Sequence, residues 1–237
     1  MVEESDFHAA TVLSRKQISP SMIRVVLGGG ELRGFASCRG LDEFAWFSFP
    51  AGDASLAAAP GRYYTIRHWD EAEGRMTVDF VSHQGGIGST WARLAEPGDR
   101  LGVLKSRFRY VSPADACWIV LLADATGLPA VGRIIEERPS TIPVVAHVEI
   151  STIEDRQDFS AHGYQAYWHE SFNHFGRPSR LSEIAAELKL PQGPGYVWIA
   201  GEASEVAACR RYFRDTLGLP RERLTSIGYW IHGQARS

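Results

Sequence analysis

The chain has 237 residues, 44% hydrophobic and 22% charged, an ordinary globular composition long enough for one large or two modest domains with real cores. A net charge of -3 gives no basis for a nucleic-acid surface. No apolar leader follows the acidic residues 1–6 and no apolar run has membrane length, so no transmembrane segment is expected and the cytoplasm is the expected location. Three widely separated cysteines, Cys38, Cys117 and Cys209, lack metal-ligand spacing and read as buried thiols in a reducing compartment.

The first half reads as short strands. Residues 7–13 and 22–27 are apolar runs separated by Ser19-Pro20-Ser21, and aromatic residues 43–49 end at Pro50-Ala51-Gly52. Next comes Arg62-Tyr63-Tyr64-Thr65-Ile66-Arg67. Strand alternation puts Arg62, Tyr64 and Ile66 on one face and Tyr63, Thr65 and Arg67 on the other. Rings to stack, guanidinium groups to fork a phosphate and a hydroxyl for a heteroatom edge suit a flat aromatic ligand bearing phosphate. An aromatic barrel wall with solvated arginines is the alternative. A turn at Gly74 leads to a strand over residues 75–83 with Val78, Phe80 and Val81 on its buried side. Strands at this spacing, with Gly- and Pro-bearing turns, predict a small antiparallel barrel.

After His83 the chain reads Gln84-Gly85-Gly86-Ile87-Gly88-Ser89-Thr90 and then a short helix over residues 91–95. Ser89 or Thr90 is the expected N-cap, and glycines ahead of a helix start make a natural, though common, phosphate seat. Residues 101–104 form the expected last barrel strand. Lys105, Arg107 and Arg109 follow, either a solvated run or a basic rim for an anionic substrate.

The second half alternates strand and helix. Residues 118–123 are an unbroken apolar run typical of a strand covered on both faces, followed by a helix carrying Val131, Ile134 and Ile135. Strands are expected over 142–150, 164–168, 196–200 and 224–231, with helices over 182–188, capped by Ser182, and 205–217. This order predicts a doubly wound parallel sheet. The organisation expected is therefore a six-stranded antiparallel β-barrel domain, 1–111, followed by an α/β domain, 112–237. No Gly-x-Gly-x-x-Gly follows the first parallel strand, so an ordinary Rossmann dehydrogenase is disfavoured. Asp124 and Glu202, at two strand ends, are candidates for ribose or nicotinamide contacts; stabilising helix N-termini would equally explain them.

Taken together, Ser19-Pro20-Ser21-Met22-Ile23-Arg24-Val25, Arg62-Tyr63-Tyr64-Thr65-Ile66-Arg67, Val78-Asp79-Phe80-Val81-Ser82-His83, Gly86-Ile87-Gly88-Ser89-Thr90-Trp91-Ala92, Pro97-Gly98-Asp99-Arg100-Leu101, Leu122-Ala123-Asp124-Ala125-Thr126-Gly127-Leu128-Pro129-Ala130, Ala200-Gly201-Glu202-Ala203 and Ile227-Gly228-Tyr229-Trp230 resemble, over nearly the whole chain, the siderophore-interacting proteins. These are FAD-dependent ferric-siderophore reductases, including vibriobactin-utilisation proteins, within the ferredoxin–NADP reductase superfamily. The resemblance implies an FAD-binding barrel and an NAD(P)H-binding-like α/β domain. Arg62, Tyr63, Tyr64, Thr65, Arg67, Asp79, Val81, His83, Gly88, Ser89 and Thr90 would surround the FAD. Asp124, Thr126, Glu202 and Trp230 would serve the nicotinamide side, and Lys105, Arg107, Arg109 and His232 the substrate.

There are departures. The family pattern Gly-Asp-Glu-Thr-Ala is Ala-Asp-Ala-Thr-Gly at 123–127, and Lys105-Ser106 stands where a Gly-Pro turn is usual. The implied function is transfer of electrons from NADPH or NADH, with ferredoxin as another donor, through FAD to a ferric siderophore, which then releases Fe(II). No protein acid, base or nucleophile and no protein-bound metal are needed for that step. The rival readings are a related reductase with a different acceptor and a non-enzymatic siderophore-binding protein.

Overall fold

In a computed structural model that describes residues 3–52, 54–138, 142–162, 164–171 and 179–234, the chain divides into two compact units at Phe108/Arg109.

The first unit is a seven-stranded antiparallel sheet. Its strands are β1 (His8–Ser19), β2 (Met22–Gly28), β3 (Phe44–Ser48), β4 (Gly61–Thr65), β5 (His68–Asp70), β6 (Arg75–Val81) and β7 (Arg100–Val103), in the order β4-β3-β7-β1-β2-β6-β5. Helix α1 (Ile87–Leu94) lies between β6 and β7 in the chain. Six strands were expected and seven are found because residues 62–70 bend. The two edge strands, β4 and β5, are separated only by Ile66 and Arg67. The Ile66 N–H bonds the Glu43 carbonyl at 2.8 Å, while the Arg67 N–H bonds the Thr77 carbonyl at 2.9 Å. The chain thus crosses from the β3 side to the β6 side, and covalent continuity joins the two edges. Alternating residues fill the interior: Val25, Leu27, Phe47, Ile66, Met76, Val78, Phe80, Leu101 and Val103 are all fully buried. Burial at this scale stabilises by ~25 cal/mol per Å² of apolar surface removed from water.

The second unit carries a five-stranded parallel sheet: β8 (Trp118–Ala123), β9 (Val144–Ile150), β10 (Gln165–Glu170), β11 (Gly195–Glu202) and β12 (Leu224–Trp230), in the order β10-β9-β8-β11-β12. β8 and β11 are buried along their whole lengths, as expected of central strands covered on both faces. Trp118, Val120 and Leu122 pack with Leu181 and Ile184 of α3 (Leu181–Glu187) and Val206 and Cys209 of α4 (Ala203–Arg211). α2 (Leu128–Glu137) packs on β8 and β9 through its buried Val131, Ile134 and Ile135.

Three local expectations are corrected. α3 begins at Leu181, with Arg180 rather than Ser182 at its N-cap. The Ser182 N–H is instead taken by a Glu205 carboxylate oxygen at 2.8 Å. The helix expected over 205–217 starts earlier and changes to a wider π turn over Tyr212–Thr216, where the Leu217 N–H reaches the Tyr212 carbonyl. Of the cysteines only Cys209 is buried; Cys38 and Cys117 are exposed. No helix among the described residues is long and apolar enough to cross a membrane.

Candidate functional site

In the barrel unit, the Tyr64 ring lies 4.5 Å from Phe80 and 6.1 Å from both Phe47 and Phe49, centroid to centroid. Trp91 of α1 completes the cluster, 5.2 Å from Phe49 and 5.8 Å from Phe80. The rings meet tilted or edge-on, the arrangements their quadrupoles favour. Burial pushes the Tyr64 phenol well above its ordinary range, against a lowering pull from the Arg62 charge, so at neutral pH it remains a hydroxyl.

The phenol lies directly on α1. A Cβ added to Gly88 would stand 2.0 Å from the Tyr64 hydroxyl oxygen, and one on Gly86 would stand 2.3 Å from the His83 ring. These two glycines are therefore demanded by the rings resting on them. Gly86, not Ser89 or Thr90, is the N-cap, and no side chain caps the helix. The first-turn N–H groups consequently stand at the positive end of the helix dipole without a side-chain acceptor, the usual arrangement of an anion seat.

Ser89 belongs to that first turn and is 1% exposed. Its hydroxyl accepts from the His83 N–H and donates to the His83 carbonyl, both at 2.7 Å. It thus closes the 83–89 turn. Thr90 is half-buried, its N–H bonded to the Gly86 carbonyl. His83 Nδ1 lies 2.9 Å from the Gln84 carbonyl; burial lowers its pKa, the Gln84 carbonyl opposes that, and Arg93 reinforces it.

The two arginines of the 62–67 stretch differ. Arg62 is half-buried, donates to the Gly61 carbonyl at 2.6 Å, and faces no carboxylate among the described residues. Arg67 is 6% exposed, its Nε 3.8 Å from Asp79 Oδ2. Asp79, directly across from Arg24 in the β2–β6 register, accepts two 2.7 Å bonds from the Arg24 guanidinium. Both its oxygens are engaged within the barrel wall, where it balances the buried Arg67. Thr65 is buried and Val81 half-buried. Tyr63 is 53% exposed and edge-on to Phe44 and Trp46.

Lys105 and Arg107 are exposed, the latter tied through its backbone to Phe44 by bonds of 2.8 and 2.9 Å. Glu43, unmarked in the sequence reading, is fully buried and accepts from Ser37, Ser106 and the Cys38 N–H. The aromatic partners Phe49, Phe80 and Trp91 were likewise not anticipated as parts of one group. The run of aromatics in β3, β6 and α1 was the available signal.

In the second unit, Asp124 directly follows β8 and Glu202 ends β11, the neighbouring strands between which the strand order reverses, where open α/β sheets bind ligands. Asp124 is fully buried. Its Oδ1 accepts from the Thr126 N–H and hydroxyl, its Oδ2 from the Glu202 N–H and the Trp230 indole N–H, both at 2.8 Å. Burial, chiefly, pushes its pKa up to about 6, against the lowering effect of the Thr126 and Trp230 bonds.

Gly201 is fixed by the same group: at φ +158° a Cβ would meet Asp124 Oδ2 at 2.6 Å. Glu202 caps α4, its Oε2 accepting from the Ser204 and Glu205 N–H groups and the Ser204 hydroxyl, its Oε1 from the His232 N–H. Burial opposes its charged form, yet these bonds prevail and hold its pKa below the usual value. Asp124, Thr126, Glu202, Trp230 and His232 are thus brought together. Arg109 is exposed, its carbonyl accepting from Thr225.

Comparison with known proteins matches residues 53–109 to the model of a siderophore-interacting FAD-binding domain and residues 116–233 to that of the siderophore-interacting proteins. The chain is 32% identical to an NADPH-dependent ferric-chelate reductase of Escherichia coli, over 94% of this chain and 92% of that one. It is 28% identical to a ferric vibriobactin reductase of Vibrio cholerae, over 93% and 88%. Among solved structures, a siderophore utilization protein from T. fusca superimposes with a TM-score of 0.83 at 30% identity, covering 98% of this chain and 95% of that one.

Proposed function

Because the chain belongs to the siderophore-interacting protein family, we propose that it is a cytoplasmic FAD-dependent reductase that takes electrons from NADPH and delivers them to the iron(III) of a siderophore. One observation carries the reading. Arg62 without a carboxylate, the uncapped start of α1 and the glycine-backed Tyr64 all fall within the 53–109 segment that matches the FAD-binding domain. These residues fit FAD: a positive, N–H-rich seat suits a diphosphate, and an apolar aromatic cluster ending in a hydroxyl suits a flavin edge.

In this reading Arg62 forks to the diphosphate, and the first-turn N–H groups of α1, at Gly88 and its neighbours, neutralise it further. Tyr64 supports the ring with Thr65 at its edge, and Val81 and His83 line the cofactor. Ser89 keeps the turn closed, Thr90 continues the helix, and Asp79 with Arg67 stiffens the wall behind them. Bound FAD accepts two electrons as a hydride and releases them singly, which links a nicotinamide to iron(III).

At the switch point of the second unit, Asp124 fixes the Trp230 indole and Glu202 fixes α4 and the His232 backbone, a rigid floor for the donor's nicotinamide. Iron(II) is held less tightly than iron(III) by hard oxygen ligands, so reduction itself releases the metal. The exposed Lys105, Arg107 and Arg109 favour encounter with an anionic ferric chelate.

The test is anaerobic turnover: FAD-loaded protein, NADPH, a ferric catecholate and a ferrous trap. Bleaching of the flavin with growth of the trap signal is expected. A protein that cannot be loaded with FAD overturns the reading. Flavin that bleaches without trapped Fe(II), whichever chelate is supplied, overturns the substrate and leaves a reductase with another acceptor.

A further inference from the structure

On the second unit, near the N-terminal end of the edge strand β12, Arg210, Arg211, Arg214 and Arg221 line a cavity of about 510 Å³ together with Asp215 and Ser226. We propose that this arginine-lined cavity is a binding site for a small polyanion bearing two or more adjacent phosphates. It is separate from the switch-point site. Leu224, also in its lining, and Trp230 stand six residues apart on β12, roughly 20 Å along a strand.

Three features carry the assignment. First, all four guanidinium groups are exposed and none has a carboxylate partner among the described residues. Their neighbour Arg223 shows what a structural arginine does here, pairing with Asp115 at 2.6 Å. Second, the charges are set where they repel. Arg210 and Arg214 are four apart and Arg211 and Arg214 three apart, spacings at which like charges on a helix destabilise it. The π turn over Tyr212–Thr216, an arrangement that recurs at functional positions, bears Arg214 and Asp215 at this point. A chain of net charge -3 has concentrated four positive groups against one acid.

Third, the cavity has the volume of a small-molecule site, and its lining contains no aromatic ring to stack a base. Recognition there rests on charge, and arginine forks match phosphate oxygens bidentately. Ser226 adds a hydroxyl donor. One phosphate carries a charge of about −2, less than four guanidinium groups balance, so adjacent phosphates satisfy the set better than one.

The experiment is calorimetric titration of the FAD-loaded full chain with sodium tripolyphosphate, orthophosphate and a polyglutamate peptide, at low and high salt. One tripolyphosphate site is expected, weakened by salt, with orthophosphate binding more weakly. The Arg210→Gln/Arg214→Gln variant should lose affinity by at least ~10-fold, while its thermal unfolding temperature does not fall and its NADPH-driven iron release without tripolyphosphate stays unchanged. No tripolyphosphate binding, or equal binding by the double variant, overturns the proposal. Tighter binding of the peptide than of tripolyphosphate also overturns it, in favour of an acidic protein partner.

Discussion

The barrel and the α/β unit prepare their candidate sites in opposite ways. In the barrel, Arg62 and the first turn of α1 present positive charge and N–H donors that no carboxylate or capping side chain among the described residues answers. At the switch point, Asp124 and Glu202 have all four carboxylate oxygens engaged by the chain's own N–H and O–H groups. On the proposed reading the first arrangement is completed by an anionic ligand, whereas the second is complete by itself and holds Trp230, His232 and α4 in position. Substitutions should therefore separate into effects on cofactor retention and effects on stability and its pH dependence.

Tyr64→Ala should show the largest effect, because it does both. Removing the ring from the Phe49–Phe80–Trp91 cluster should destabilise the barrel by about 3–5 kcal/mol and abolish FAD retention, measured by thermal unfolding and by flavin absorbance per protein. Tyr64→Phe should keep the fold. Asp79→Ala should lower stability by ~3 kcal/mol, since it removes the buried carboxylate that takes two bonds from the Arg24 guanidinium and stands beside the buried Arg67. Denaturant unfolding measures it; a loss within the ~0.5 kcal/mol of an ordinary surface change would mean that this pairing does not stabilise the barrel wall.

In the α/β unit, the folded pKa of Asp124 is raised to about 6, above its unfolded value. Its protonated form is the one folding favours. Its contribution to stability is therefore full below about pH 4 and is lost as pH rises through 6, by ~3 kcal/mol in total. Asp124→Asn should flatten that part of the stability–pH curve, and Trp230 fluorescence in the parent protein should titrate near pH 6. The smallest effect on the fold is expected of Arg62→Gln. Stability should stay within about 0.5 kcal/mol, while FAD affinity falls ~10- to 100-fold, the loss of one charge-assisted contact.

Much of this contrast was legible in the sequence because it rests on local patterns. Alternation in residues 62–67, the glycines before α1 and the unbroken apolar run of β8 announce the barrel strand, the start of a helix and the central parallel strand from a few neighbours each. What could not be read depends on distant partners. Asp79 gives no sign that Arg24, 55 residues away, will take both its oxygens. Asp124 and Trp230 are 106 residues apart, and only the parallel pairing of β8, β11 and β12 brings them together. The N-cap was misassigned for a related reason. Ser89 is a good capping residue, but its hydroxyl is satisfied by the His83 backbone, and the N-cap is Gly86, where the His83 ring leaves no room for a Cβ. The bend at Ile66 and Arg67, which turns six expected strands into seven, is likewise set by hydrogen bonds to β6 and to the residue preceding β3.

The most direct test of the central claim is an anaerobic single turnover. Protein carrying stoichiometric reduced FAD, freed of excess NADPH, is mixed rapidly with a ferric catecholate and a ferrous trap. Flavin reoxidation and Fe(II) capture should then proceed at the same rate, with two Fe(II) trapped for each two-electron-reduced flavin and both signals lost in Tyr64→Ala. Reduced flavin that persists in the presence of the ferric chelate, or Fe(II) that appears at the same rate without bound flavin, would contradict it.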